Sequence, residues 1–395
     1  MLELMTMKST NSEHKLKFVN LNKWVPVAAP SGCLNILCIS DVHMGHGRVP
    51  ASKIIATCDE IMTDEAMEVV DVVIVSGDLF DKRLAHDSDD ALLISDWMDR
   101  KCRQAKRKNV IWLILEGTPS HDNRQSRWFL HANRSTGSNA DIRYYENIVI
   151  DELYPGGPTF LFIQDEVNHD ANKTWKQVCD LMKEKGLDKV DFAVMHGMFT
   201  FQEPVRSIAT HLEERYEGIV RHRIVIGHHH HPEANGKIRV PGSVERLRHN
   251  EEHDKGFYFF TWSPTDGVLE ETFVVNTAAT TWMTLDVVGK TYAQTVGALN
   301  KVAKHPDGSH FRLKLSREDE SYAALSRVKN LFPHFNISTK VIEAAATAEN
   351  TDNLIDTPVL PSINQENLSE HLLPRFSDVT NEDVMRIIEM ELRAA

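Results

Sequence analysis

The strongest constraint on the fold is a set of apolar runs of strand length, each followed by residues that bind metals. Runs at 34–39, 70–75, 110–115, 192–195 and 224–226 lead into aspartate, glutamate, serine or histidine. Between the runs, apolar residues recur at helical spacing. Such alternation is typical of α/β proteins, and strands that are apolar on both faces indicate a sheet covered by helices. We predict an α/β fold of mixed β-sheets flanked by helices.

The chain divides into segments of different character. We expect an N-terminal extension over 1–32 and a main α/β domain over 33–275. A strand–helix–strand–helix–strand pattern then predicts a small α/β domain over 280–345. An acidic linker without lysine or arginine follows at 346–372. The final segment, 373–395, has one apolar stripe at helical spacing, which predicts a C-terminal helix that contacts a partner.

Composition narrows the functional classes. The 395 residues carry a formal net charge of −13, so no global basic field attracts nucleic acid. Bound cations or local basic stretches can still reverse the charge at one site. No apolar run approaches the ~20 residues of a membrane-spanning helix, and the N-terminus lacks the pattern of a secretory signal. We therefore expect a cytoplasmic protein without a membrane association, from a bacterial or phage-infected cell.

The ligand-type residues at the strand ends predict one shared site. In open α/β sheets the carboxyl ends of the strands meet at a functional crevice. Carboxylates and imidazoles gathered there need a cation to offset their charge and desolvation, and the number of ligands fits two divalent ions. The candidate metal ligands and their neighbours are Asp41, His43, Asp78, Ser120, His121, Asp122, His196, His228 and His230.

Spacing within the motifs assigns directions to the side chains. Asp41 and His43 are two residues apart, as are His228 and His230, so each pair faces one way on extended backbone. His229 then points away and is predicted not to bind these ions. Taken singly, a histidine after a strand is more often a buried core residue than a metal ligand. Asp78 taken singly could be the N-terminal cap of a helix. The occurrence of all the motifs in order favours the dimetal interpretation.

The order of the motifs resembles the calcineurin-like metallophosphoesterases. Their pattern of DxH, GDxxD, GNHD, a histidine after a strand and GHxH is matched at 41–43, 77–81, 120–122, 196 and 227–230. Within that superfamily the chain resembles the SbcD-type nuclease subunits of DNA double-strand-break repair. The narrower resemblance rests on the sequences GDLFD at 77–81 and PGSVER at 241–246 and on the appended small domain. It covers about residues 33–342 and implies a metallophosphoesterase sandwich.

The resemblance also implies roles for individual residues. Asp41, His43, Asp78 and His230 would hold a first metal, and Asp78, His196 and His228 a second. His121, oriented by Asp122, would act beside the scissile phosphate. Ser120 stands where the family has asparagine, so the second ion is expected to bind less tightly. Two manganese ions are the implied cofactors, with iron, zinc or cobalt as alternatives.

Weaker sequence signals suggest roles for three residues outside the ligand set. Arg246 and Arg248 follow the last histidine motif closely and are candidates for contacting a nucleic-acid backbone. Asp81 could support the metal ligands or cap the following helix, and we favour the cap.

Three functions fit these observations. The first is a metal-dependent DNA exonuclease and endonuclease that works in repair and recombination with an SbcC-type coiled-coil ATPase, as a homodimer. The second is a metallophosphatase or cyclic-nucleotide phosphodiesterase on the same scaffold. The third is a non-catalytic subunit that binds DNA ends, suggested by Ser120. The small domain and the C-terminal segment favour the nuclease, since a small-molecule hydrolase has no evident need of them.

Overall fold

The computed structural model describes residues 16–165, 167–203 and 207–342. The predicted acidic linker at 346–372 and the predicted helix at 373–395 lie outside the described residues.

Sixteen strands occur within the described residues. In chain order they are β1 (Lys17–Asn20), β2 (Leu34–Ile39), β3 (Val72–Ser76), β4 (Ile111–Leu115), β5 (Ile142–Tyr145), β6 (Val149–Glu152), β7 (Thr159–Ile163), β8 (Val190–His196), β9 (Val220–Gly227), β10 (Glu233–Asn235), β11 (Ile238–Val240), β12 (Gly256–Ser263), β13 (Gly267–Val275), β14 (Trp282–Asp286), β15 (His310–Ser316) and β16 (Asn336–Ile342).

The same part of the chain contains ten α-helices, several of them a single turn long. They are α1 (Ala51–Ile61), α2 (Asp64–Met67), α3 (Asp89–Lys108), α4 (Pro119–Asp122), α5 (Trp128–Ser135), α6 (Ala171–Glu184), α7 (Glu213–Ile219), α8 (Tyr292–Lys301), α9 (Glu320–Ala323) and α10 (Leu325–Leu331). None of the described helices combines the length and apolar character needed to cross a bilayer.

Two mixed sheets form the main domain. The first has the order β1-β13-β12-β2-β3-β4-β5 and the second β10-β11-β9-β8-β7-β6. In the first sheet β2, β3, β4 and β5 are parallel, whereas β12 runs antiparallel to β2. In the second sheet β7, β8 and β9 are parallel and β6 is antiparallel to β7. The predicted α/β architecture of mixed sheets flanked by helices is confirmed.

The buried residues arrange these sheets in four layers. Alternate residues of β2 face opposite ways, so Leu37 and Ile39 pack with α1, α3 and α5 while Ile36 and Cys38 face the second sheet. Residues of β7, β8 and β9 alternate in the same manner. Their outer face packs against α6 and α7. Both sheets are therefore buried on both faces over their central strands, which explains why those strands read as continuous apolar runs.

Several short strands of the main domain lie outside the predicted apolar runs. β5 and β6 are short and half-buried, so their sequences lack a continuous apolar run. β1 lies within the predicted N-terminal extension and pairs in parallel with β13. Trp24, just after β1, packs edge-on against Phe257 and Phe259 of β12. These contacts attach residues from Lys17 onwards to the first sheet.

The small domain has its own core. Strands β14, β15 and β16 form a parallel three-stranded sheet, and α8 and α10 pack on it through Leu299 and Val328. The predicted strand–helix–strand–helix–strand pattern is confirmed over 282–342, with the second helix split into α9 and α10.

A buried ion network joins the two large sheets. Glu271 of β13 accepts paired hydrogen bonds from Arg223 of β9 at 3.1 Å and 3.1 Å and from Arg239 of β11 at 2.6 Å and 2.8 Å. Glu271 is 2% exposed, so water does not compete with the two arginines for its carboxylate oxygens. Paired hydrogen bonds of this kind fix geometry as well as charge.

We predict that Glu271→Ala lowers the free energy of unfolding by about 3–5 kcal/mol, because two guanidinium groups remain buried without their anion. Urea denaturation followed by circular dichroism measures the loss. Glu270→Ala on the same strand is the matched control, since Glu270 forms an exposed ion pair with Lys17 and should cost about 1 kcal/mol or less. Equal losses for the two variants would show that the buried network is not the stabilising element.

Candidate metal centre

The carboxyl ends of six parallel strands meet at one edge of the sandwich. β2, β3 and β4 of the first sheet and β7, β8 and β9 of the second end there. A direct hydrogen bond joins the two sheets at this edge, because the carbonyl oxygen of Ser76 on β3 accepts from His196 Nδ1 on β8 at 2.7 Å. The same carbonyl accepts from Ser40 Oγ, just after β2 of its own sheet, at 3.1 Å. The strand-end residues therefore lie close together, as the sequence predicts.

The backbone at this edge is tightly packed and strained. A Cβ on Gly77 would collide with the His196 ring, and one on Gly227 with Ser40 Oγ and the Ser76 carbonyl. Asp41, His43 and Asp78 adopt left-handed conformations, with φ of 48°, 52° and 49°. Non-glycine residues seldom hold such angles unless the surrounding structure imposes them, and they concentrate at functional sites.

Asp78 lies at the middle of the cluster and is 1% exposed. Its Oδ1 accepts from the backbone N–H of Thr118 at 2.6 Å, and its Oδ2 is 2.9 Å from His121 Nδ1 and 3.3 Å from His196 Nε2. Burial by itself raises the pKa of Asp78, but His196, His121 and His43 outweigh it and hold that pKa well below its usual range. Asp78 is therefore a buried anion.

On one side of Asp78, the ligand atoms of Asp41, His43 and His230 lie within 4.8 Å of one another. His43 Nε2 is 3.0 Å from His230 Nε2 and 3.9 Å from Asp78 Oδ2. Asp41 Oδ1 is 3.8 Å from His230 Nε2 and accepts from the backbone N–H of His228. This is the group expected around the first metal.

On the other side, Asp78, His196 and His228 form a second group with the same spacing. His228 Nδ1 lies 3.2 Å from Thr118 Oγ1 and 3.4 Å from Asp165 Oδ2. His229 belongs to neither group, in agreement with the predicted alternation. The structure thus brings together every predicted histidine and aspartate ligand in two adjacent sets.

Thr118, rather than Ser120, lies among the ligands. Thr118 Oγ1 is 3.3 Å from Asp78 Oδ2 and 3.0 Å from Asp165 Oδ2, whereas Ser120 is exposed on the first turn of α4. Ser120, named as a candidate ligand from the motif pattern, therefore does not lie with the other candidates, and Thr118 two residues earlier does. Asp165 was missed as well, although it follows β7 and so obeys the same strand-end rule.

His121 and Asp122 have separate roles in the structure. His121 is half-exposed and bonds to Asp78, and this hydrogen bond raises the pKa of His121. Asp122 is buried and accepts the backbone N–H groups of Phe80 at 2.8 Å and Gly117 at 2.7 Å. Asp122 therefore holds the loops that carry Asp78 and His121, and the expected direct orientation of the His121 ring by Asp122 is not observed.

The hydrogen-bonding state of the histidines fits metal ligands. Since the Ser76 carbonyl can only accept, His196 donates through Nδ1 and presents Nε2 to Asp78. That Nε2 atom is buried and has no hydrogen-bond partner. A bound divalent cation between such a nitrogen and a carboxylate would satisfy both, and a fixed Nδ1–H is the usual companion of a ligating Nε2.

His230 is held in the same way by Glu251. His230 Nδ1 lies 3.0 Å from Glu251 Oε1, and the other carboxylate oxygen accepts from Lys255 Nζ at 2.9 Å. Burial raises the pKa of Glu251, but His230 and Lys255 outweigh it and lower that pKa below its usual range. Burial in turn lowers the pKa of Lys255 to about 8. Glu251 has no motif signal in the sequence, and its role emerges only from the fold.

Three further residues with predicted roles lie around the cluster of candidate ligands. Asp81 Oδ1 is 3.3 Å from His43 Nδ1, while α3 is capped by Ser88, so the preferred interpretation of Asp81 as a helix cap is wrong. Arg246 is partly buried and donates to the carbonyl oxygens of His253 and Ala279. Arg248 is exposed and bonds to Glu251. Of the two arginines, only Arg248 is open to a nucleic-acid backbone.

Comparisons with known proteins add little to this picture. No protein-family profile and no curated protein matches the chain. Among solved structures, one aligns with a TM-score of 0.34 and 12% identity, covering 58% of this chain and 95% of that chain. A likeness of this degree carries no argument, so the chemical conclusions rest on the metal centre itself.

We predict that Glu251→Gln weakens binding of the first metal by about 10- to 100-fold, because the amide no longer supports His230 as a carboxylate does. Isothermal titration of the chelator-treated protein with Mn²⁺ measures the affinity. Glu252→Gln is the control, since the neighbouring Glu252 is exposed. Unchanged affinity in Glu251→Gln would exclude a supporting role for this carboxylate.

Proposed function

We propose that the chain is a dimetal phosphodiesterase of the metallophosphoesterase type that hydrolyses DNA at its ends. One observation carries the proposal: two three-ligand groups of histidine and aspartate lie side by side, next to the buried carboxylate of Asp78. Two adjacent ions bridged by one carboxylate are a recurring arrangement for cleaving phosphate esters.

The ligands are nitrogen and oxygen without thiolate, which suits manganese, iron, zinc or cobalt, and we propose manganese. When bound, the two ions would acidify a water for attack on phosphorus and offset the charge that develops on the phosphate oxygens.

His121 supplies the proton in this proposal. Its side chain is 38% exposed, as is that of His228, but only His121 of these two has its Nδ1 held by Asp78, at 2.9 Å. The ring can therefore meet a phosphate ester that arrives from solvent while its orientation is fixed from inside. A donor in this position assists departure of the leaving sugar oxygen.

A group of three histidines and Arg48 near β15 supports a substrate longer than a monoester. Burial lowers the pKa of His46, of His249 and, to about 4, of His310, so these imidazoles are neutral at neutral pH. The Trp282 ring stacks on His310 at 3.7 Å and meets His249 edge-on. In the proposed function, Arg48 would contact a phosphate beyond the scissile one.

Partner and assembly are proposed on sequence grounds. The apolar stripe of the C-terminal segment suits docking to an SbcC-type ATPase in the cytoplasm, and the proposed nuclease would act as a homodimer.

We predict that Asp78→Asn abolishes manganese-dependent cleavage of linear duplex and single-stranded DNA, because the second ligand group loses its carboxylate and the adjacent first group loses the anion beside His43. The assay follows end-labelled DNA on denaturing gels, with p-nitrophenyl phosphate as the parallel monoester. Asp96→Asn, at a position 75% exposed, is the control. Circular dichroism of both variants establishes that they are folded.

Any of three outcomes would contradict the nuclease proposal. Hydrolysis of the monoester without cleavage of DNA would assign a phosphatase. Cleavage that persists undiminished in Asp78→Asn would exclude this centre as the site of chemistry, and absence of any hydrolysis in the folded wild type would favour a non-catalytic subunit that binds DNA ends.

We predict that His121→Asn lowers the cleavage rate by about 10²- to 10⁴-fold, because the proton donor is lost. Manganese affinity should remain within a few fold of the wild type, since His121 is not a ligand in the proposed arrangement. Parallel titration calorimetry and single-turnover assays make the comparison. A large drop in metal affinity would identify His121 as a ligand instead.

A further inference from the structure

The four consecutive histidines at 228–231 belong to different clusters of side chains. His228 and His230 enter the two ligand groups around Asp78, whereas His229 and His231 form a separate group with Glu233. The backbone bends after β9, where His228 has a φ of 94°, and alternate histidines enter different groups. The metal centre described above therefore leaves His229 and His231 unexplained.

The separate group has the spacing of a cation site. His231 Nδ1 lies 3.2 Å from Glu233 Oε1, and His229 Nε2 lies 3.9 Å from the same oxygen. One ligand atom from each residue falls within 4.8 Å of the others. The two imidazole rings stand at 74° with centroids 6.1 Å apart, so both can direct a nitrogen towards one point without stacking.

Glu233 has an unused coordinating atom. Its Oε2 is buried and has no hydrogen-bond partner, although a buried carboxylate oxygen is costly to leave unpaired. The residue itself is held in place, because β10 pairs with β11 at Val240 and Tyr258 Oη donates to the Glu233 carbonyl at 3.0 Å. The carboxylate is thus presented on a rigid strand, with an oxygen available to a ligand.

Access and environment suit an ion from solution. The side chains of His229, His231 and Glu233 are 30%, 25% and 28% exposed, so the group is neither sealed nor fully solvated. Two imidazoles and one carboxylate, with an open fourth position, are a ligand set that Zn²⁺ accepts readily.

We propose that His229, His231 and Glu233 form a third cation site, separate from the Asp78 centre and selective for Zn²⁺ or a similar transition-metal ion. The ion fastens the loop after β9 to the start of β10. That loop also carries His228 and His230. The His253 ring meets the His231 ring edge-on at 4.2 Å and bonds to the His230 carbonyl. The third ion therefore has a structural role beside the dimetal centre.

The test counts zinc bound to the full-length, chelator-treated chain. Isothermal titration with Zn²⁺ and metal analysis after gel filtration compare the wild type with His231→Gln and Glu233→Gln. Each variant should bind one equivalent fewer, or bind that equivalent at least about 10-fold more weakly. His131→Gln and Glu214→Gln, both at exposed positions, are the matched controls and should bind as the wild type does.

Glu233→Gln is the decisive variant. A run of histidines can chelate a transition metal without any carboxylate, so unchanged zinc binding in Glu233→Gln would overturn the proposed site. Co²⁺ provides a second measurement, because removal of a ligand changes its visible absorption; a Co²⁺ spectrum identical in wild type and Glu233→Gln would also count against the site. The difference of one equivalent is independent of DNA cleavage, so failure of the nuclease assay leaves this test intact.

Discussion

The buried carboxylate of Asp78 is the constraint on which the rest of the site depends. An ionised group that is 1% exposed is stable only when donors or cations surround it. Thr118 and His121 reach it from the segment after β4 and His196 from the end of β8, and those contacts require both sheets to meet at one edge. The charge at the centre and the packing of the sandwich are therefore parts of the same arrangement.

The backbone contributes to the geometry of this site as much as the side chains do. Gly77 and Gly227 leave no room for a Cβ, so the His196 ring can lie against the first sheet and bond to the Ser76 carbonyl. Support continues outward from His230 through Glu251 to Lys255, which also bonds to the His230 carbonyl. Ligand orientation is thus set by residues that would never touch a metal, as is common around metal centres.

The sequence predicted the parts of this site that follow from local rules. Strand-length runs ending in Asp41, Asp78 and His196 indicated convergence, and alternation separated His228 and His230 from His229. The same rules missed Asp165, which follows a strand but belongs to no familiar motif. They also favoured Ser120 over Thr118, because motif alignment cannot show which hydroxyl the loop presents to the site.

By itself the sequence determined the fold class and most residues of the candidate metal centre, because periodicity and strand-end position depend on near neighbours in the chain. Only the tertiary structure decided the supporting contacts. Glu251 reaches His230 across 21 positions, and Asp122 holds Phe80 across 42. It also gathered His229, His231 and Glu233 into one group. Distances between residues on different elements depend on how the sheets pack, and no local pattern records that.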